Sequence, residues 1–219
     1  MLRPHPLVAL FAALIGAAGC ENAPTETAAV IGRIPDGWRG FPDSSSQLGL
    51  TSEFTHGGRH ALSITGRVSA NVSQSVLAAS YKGQRVRWSG WLKGAGISNG
   101  LTSGLWMRID DGQTTLAFDN MVDRPFIGTQ DWTHLTVVLD VPSNAIGITI
   151  GVIFNAEGRL IADDFRLESV GPDEAPTKTI TPFAFNTAAL YANAPSKPVN
   201  LDFEGASPAS IRETHSIRR

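Results

Sequence analysis

The chain has 219 residues, enough for one domain of ordinary size with tails. Charged residues make up 17% and hydrophobic residues 42%, and 22 Gly with 13 Pro interrupt the chain often, which argues against a helix bundle and for short strands joined by turns. A net charge of -2 leaves no basic footprint for nucleic acid, and a single Cys excludes a disulfide within the chain, a Cys-based zinc site and a CxxC redox centre.

Residues 1–20, MLRPHPLVALFAALIGAAGC, place Arg3 before an apolar run from Leu7 to Ala18. The run falls short of the about 20 apolar residues that span a bilayer and fits the core of a secretory signal. It ends in Ala17-Ala18-Gly19-Cys20, which resembles a bacterial lipobox. That resemblance implies a signal peptide over 1–19, cleavage before Cys20 and acylation of Cys20, with the membrane as a partner through an N-terminal lipid anchor. An ordinary signal cut nearby would leave a free thiol instead. Glu21 follows the Cys, and an Asp there often marks inner-membrane retention. The expected location is therefore the cell envelope, on the outer membrane facing the periplasm. Residues 20–36 are small and polar and read as a lipid-anchored tether.

From 37 to 170 the pattern is β. Early strands are expected at Ser46–Thr51, His60–Gly66 and Ser75–Ser80. In Arg85–Lys93, Val86, Trp88, Gly90 and Leu92 share one face, while Arg85, Arg87, Ser89, Trp91 and Lys93 share the other. In Gly104–Asp110, Leu105, Met107 and Ile109 alternate with Trp106, Arg108 and Asp110. Apolar stripes follow at Leu135–Val141 and Ile146–Phe154, the second stopped by Asn155-Ala-Glu-Gly158. A last stripe sets Ile161, Asp163, Phe165 and Leu167 on one face. Many strands with turn signals between them, and no helix-length amphipathic run, predict an all-β, antiparallel two-sheet sandwich. Residues 171–204 read as a loose Pro-rich arm ending in Asn200-Leu-Asp-Phe-Glu204, and 205–219 as a disordered tail.

Several segments look like one set: Gly83-Gln-Arg-Val-Arg-Trp-Ser-Gly-Trp91, Gly104-Leu-Trp-Met-Arg-Ile-Asp110, Phe118-Asp-Asn-Met-Val-Asp-Arg-Pro125, Gly128-Thr-Gln-Asp-Trp132 and Asp163-Asp-Phe165. The set resembles a bacterial jelly-roll domain of the galactose-binding-like type, related in shape to carbohydrate-binding modules. The resemblance implies a jelly-roll β-sandwich but no particular ligand. Domains of this group are sometimes named AraC-type regulators. This chain offers no helix-turn-helix pattern for that role and does carry a secretion signal. Many such modules begin with an Asn-x-x-Phe-Glu strand. Here that pattern stands at Asn200–Glu204, so the C-terminal segment is expected to fold back and supply the missing strand. In related modules the Glu and an Asp of the last strand help to hold a structural Ca²⁺, which makes Glu204 with Asp163, or with Asp164, the implied metal pair and calcium the only implied cofactor.

The best binding candidate is a polar face carrying Trp91, Trp106, Arg87, Arg108 and Asp110. Exposed Trp rings stack on the apolar faces of sugars, and Arg and Asp hydrogen-bond hydroxyls in fixed directions. The competing reading is structural, with Arg108 and Asp110 forming an ion pair under a loop. The 118–125 segment reads more simply as a loop pinned by Asx turns and an Asp–Arg pair. Gly96-Ile-Ser98-Asn-Gly100 matches G-x-S-x-G but lacks the following helix of a nucleophile elbow. His56 and His60, four apart, lack a helix on which to form a metal site. The expected function is a non-catalytic, extracytoplasmic binding lipoprotein recognising carbohydrate or envelope glycan. An accessory lipoprotein that binds a partner protein of the envelope is the alternative. A hydrolase is the least favoured class, and no nucleic acid is expected as a partner.

Overall fold

The computed structural model describes residues 34–41, 47–178 and 182–205. The expected signal peptide, Cys20, the tether as far as residue 33, and residues 206–219 of the tail lie outside the described residues. Nine strands follow in chain order: β1 (Arg39–Phe41), β2 (Gln47–Thr51), β3 (Ala61–Leu77), β4 (Arg85–Ile97), β5 (Thr102–Asp110), β6 (Thr114–Asp119), β7 (Gly128–Asp140), β8 (Gly147–Val170) and β9 (Phe183–Ala184). One four-residue helix, α1 (Ala188–Tyr191), completes the described elements.

Two long strands frame the molecule. β3 and β8 pair antiparallel from Leu62↔Ala162 to Leu77↔Gly147. Midway, Gly66 lies opposite Gly158, with φ of 132° and 124°, a region that glycine tolerates and side-chain-bearing residues avoid. On either side of this point β8 changes neighbour. Its residues 147–155 pair with β5, and its residues 159–170 pair with β4. One curled antiparallel sheet thereby gives two layers. The first runs β1-β3-β8-β5-β6-β9, and the second joins β2, β3, β8, β4 and β7.

The inner faces follow the expected alternation. Leu105, Met107 and Ile109 from the first layer, and Val86, Trp88 and Leu92 from the second, are fully buried in one cluster. Trp88 Nε1 reaches across that core to donate to the Gly151 carbonyl at 3.1 Å, which satisfies its only polar atom.

Three sequence expectations change. His60–Gly66 and Ser75–Ser80 are not separate strands: the first falls largely within β3, whereas only Ser75–Leu77 of the second does, and residues 78–80 form a turn. Asn155-Ala-Glu-Gly158 does not stop β8, because Asn155, Ala156 and Glu157 keep partners in β3 (Ser69, Val68 and Arg67) and the chain bends without leaving the ladder. Ile161 and Asp163 do not share a face with Phe165 and Leu167. Asp164 takes a left-handed φ of 49° beside a register shift against β4, which moves Phe165 into the core.

The Pro-rich arm is built into the body. Thr177 exchanges hydrogen bonds with Val138 of β7, β9 extends the first layer as its edge strand on β6, and the Tyr191 hydroxyl of α1 bonds Asp110 of that layer. Residues 198–205 do fold back, but as turns and not as a strand, since Asn200 and Phe203 both have φ above 50° or close to it (50° and 57°). Trp38 Nε1 donates to the Asn200 carbonyl at 3.0 Å, the Phe165 amide donates to the Leu201 carbonyl at 3.0 Å, and Gln74 makes two bonds to the Val199 backbone. Phe203 is fully buried against Trp38 and Phe165, with ring centroids 5.3 and 5.5 Å away.

Candidate functional site

The five residues expected on one face occupy two. Arg87 and Trp91 project from the outer side of the second layer, whereas Trp106, Arg108 and Asp110 project from the outer side of the first. The sequence period is right on each strand, but the curl of the sheet sends the two polar faces apart.

The first-layer group lies under the arm. Asp110 is 0% exposed and accepts from Arg108 Nε at 2.9 Å, from Thr115 Oγ1 at 2.8 Å and from the Tyr191 hydroxyl. Burial, and then the Asp110 charge, push the Tyr191 phenol far above its ordinary value, so it stays protonated as a donor. Trp106 is 5% exposed and donates to Asn71 Oδ1 at 3.1 Å. The Arg108 guanidinium sits 4.8 Å from the centre of the Phe185 ring. Gly147 makes room for this cover, since a Cβ there would lie 2.0 Å from the Tyr191 ring. The structural reading of Arg108 and Asp110 therefore describes this face. The 118–125 loop is likewise pinned by an Asp–Arg pair: Asp119 takes two bonds from Arg124 and one from the Met121 amide.

The second-layer face is open and richer in aromatics than its strands alone suggest. The His56 ring stacks on Trp91 at 4.1 Å with 13° between planes, Trp132 meets His56 edge-on at 5.5 Å, and His134 lies tilted 5.1 Å from Trp91. Arg87 is held by Glu168 at 3.0 Å and Glu174 at 2.9 Å. Desolvation, and then the guanidinium charges of Arg87 and Arg166, hold the His134 imidazole below its ordinary value, so it is neutral at pH 7.

The loop between β2 and β3 supplies His56 and is pinned by carboxylates. Asp163 Oδ2 accepts from the His56 and Gly57 amides at 2.8 and 3.1 Å, and Asp164 Oδ2 lies 2.5 Å from His56 Nδ1. Glu204 Oε1 accepts from the Arg59 and His60 amides at 2.6 and 2.7 Å. The pair implied for Ca²⁺ thus converges on one loop, but N–H donors occupy the lone pairs that a cation needs. These residues do not fit a calcium cage, and no group of three or more His, Cys, Asp or Glu able to hold a metal occurs among the described residues.

Beside this aromatic row lies a groove of about 350 Å³. Gly94, Ala95 and Ile161 form an apolar part of its lining. Phe54 lines it from the pinned loop, with Lys93, Arg159, Gln130 and Asp131 as its charged and polar members. Sequence reasoning placed Lys93 on this face but missed Phe54, Trp132 and Arg159. Phe54 sits in a loop with no period to read. Arg159 follows the bend at Gly158, and the alternation at Trp132 is too short to interpret. Gly96–Gly100 leads from β4 straight towards β5, with no helix after it, as expected for a turn.

No family model matches the chain. Over 136 residues it is 35% identical to the uncharacterized HTH-type transcriptional regulator YbfP of Bacillus subtilis (strain 168), which covers 62% of this chain and 42% of that protein. The chain therefore spans less than half the length of that relative. Among solved structures, similarity is found to the CBM22-1 xylan-binding domain from Paenibacillus barcinonensis Xyn10C, at 18% identity and a TM-score of 0.45, over 64% of this chain and 91% of that one. TmCBM61 in complex with beta-1,4-galactotriose gives 20% identity and 0.41, over 62% and 90%. A Stig cyclase, Fisc, from Fischerella sp. TAU gives 15% identity and 0.46, over 72% and 93%.

Proposed function

We propose that the chain is a non-catalytic glycan-binding β-sandwich, held at the cell envelope by a lipid on Cys20. The observation that carries the binding part is the groove on the open second layer. It combines an exposed Phe54 ring with an apolar lining and with Lys93, Arg159, Gln130 and Asp131 as polar groups along it. A pyranose presents an apolar C–H face and hydroxyls of fixed direction, and this combination is complementary to both. Asp163 and Glu204 set the loop in advance, which lowers the ordering cost of binding. The lipid part rests on the basic start, the apolar run and the Ala-Ala-Gly-Cys ending of residues 1–20. DNA binding is no part of the reading: the described helix has four residues, and the net charge is -2.

Titration of tryptophan fluorescence with soluble oligosaccharides and cell-wall fragments tests the binding, with Trp91 and Trp132 as reporters. Phe54→Ala is expected to weaken the responding ligand by about 1–2 kcal/mol as stacking area is lost. Silence across the whole panel, with a protein partner recovered by crosslinking, would replace this reading with that of an accessory lipoprotein. Metabolic labelling with a fatty acid, present in the wild type and absent in Cys20→Ala, tests the anchor.

A further inference from the structure

Lys93 projects from β4 and Arg159 from β8 as near neighbours in the ladder, where Lys93 faces Ile161 and Ala95 faces Arg159. Both cations approach one ring: Lys93 Nζ lies 5.7 Å and the Arg159 guanidinium carbon 5.4 Å from the centre of Phe54. Their present partners come from outside these two strands. Asp131, at the start of β7, lies 2.5 Å from Lys93, and Glu53, in the loop after β2, lies 2.8 Å from Arg159. The two cations are the better buried members, at 28% and 24% side-chain exposure, whereas Asp131 is 84% exposed. The Lys93–Asp131 pair is open to water and holds little net stability, so its carboxylate exchanges readily with one from a ligand, whereas Glu53, at 34% exposure on Arg159, is the more enclosed of the two competitors. The cations themselves stay fixed by the strands and the ring.

We infer that the groove takes a carboxylate-bearing glycan, a uronate. Its sugar ring lies against Phe54, and its carboxylate replaces Asp131 on Lys93 or Glu53 on Arg159. A planar carboxylate suits the guanidinium fork of Arg159. In this arrangement Asp131 and Glu53 act as competitors of the ligand, occupying the cations until it arrives. The inference rests on the glycan-binding reading and adds the charge of the sugar to it.

The test compares an oligogalacturonate with its fully methyl-esterified form, which keeps the rings and removes the charge, by calorimetric titration of the full chain at low salt. The acid form is expected to bind about tenfold more tightly, with the margin shrinking as salt rises. Lys93→Gln with Arg159→Gln should abolish the margin, so that acid and ester bind this variant with equal affinity whatever neutral contacts the two side chains also make. Glu53→Gln with Asp131→Asn should widen it, because the competitors lose their charge while the Trp132 amide keeps its oxygen acceptor. Equal affinity for acid and ester, or a margin that survives loss of both cations, would overturn the inference and leave the glycan reading standing. Binding of neither form or of any neutral oligosaccharide would overturn both.

Discussion

At the scale of single residues, two carboxylates do for the loop between β2 and β3 what a neighbouring strand does elsewhere: they satisfy its amides. Their titrations run in opposite directions. Burial pushes the Asp163 carboxyl above its ordinary value despite bonds from the Gly57, His56 and Asp164 amides. With the folded value above the unfolded one, the ionised form costs stability at pH 7, and that cost is relieved as pH falls through the folded value. For Glu204, burial also raises the carboxyl, but the Arg59 and His60 amides, the Arg59 side chain and the His60 charge together outweigh it and the net shift is downward. Its stabilisation is present above the unfolded value of about 4.3 and is lost as pH falls through the lower folded value. Glu204→Gln should lower stability at pH 7 by about 1 kcal/mol and flatten the acid limb below about pH 4.3. Urea unfolding of both proteins between pH 7 and pH 3 measures this, and superimposable profiles would show that Glu204 holds nothing.

At the scale of elements, the C-terminal turn is a core component although it lies far along the chain from the strands it closes. Phe203 fills the space between Trp38 and Phe165, and the left-handed conformations of Asn200 and Phe203 are sustained by that burial and by the Trp38 and Phe165 hydrogen bonds. Phe203→Ala removes a fully buried ring and should cost about 3–5 kcal/mol, with truncation after Val199 costing at least as much. A melting temperature within a degree or two of wild type for either protein would contradict this placement. The same turn marks where the sequence could be read and where it could not. Alternation in Arg85–Lys93 and Gly104–Asp110 identified the inner faces residue by residue, because a strand buried on one side must alternate. The return of residues 200–204 came from a motif resemblance. Its conformation did not, since nothing local announces a Phe at positive φ. Trp91 and Trp106 were each placed outward correctly, yet their separation onto two faces depends on the curl of the sheet, which no single strand encodes. The cover over Asp110 was hidden for the same reason: Tyr191 is 81 residues away.

At the scale of the whole molecule, fold and groove meet at the bend of β8. Gly158 has φ of 124°, and a Cβ added there would lie 2.6 Å from the Gly96 carbonyl oxygen and 2.9 Å from that of Ala95. Both neighbours are backbone atoms of β4, so the contact cannot be relieved by rotating a side chain. Ala95 lines the groove, and Arg159 is the next residue after the bend. The glycine that lets β8 serve both layers therefore also sets the distance between β4 and the guanidinium that faces Phe54. Gly158→Ala should strain the backbone and push β4 away, lowering stability by about 2–4 kcal/mol and weakening glycan binding together. Gly83 provides the control. It also has a positive φ, of 73°, but a Cβ there would meet nothing within 4 Å, and it precedes β4 at the end remote from the groove. Gly83→Ala should cost only the conformational strain, about 1 kcal/mol, and leave the binding isotherm unchanged. If the bend matters to the groove only through overall stability, ligand affinity measured well below either melting temperature would be the same in both variants. A loss confined to Gly158→Ala would tie the curvature of the sheet to the geometry of the groove.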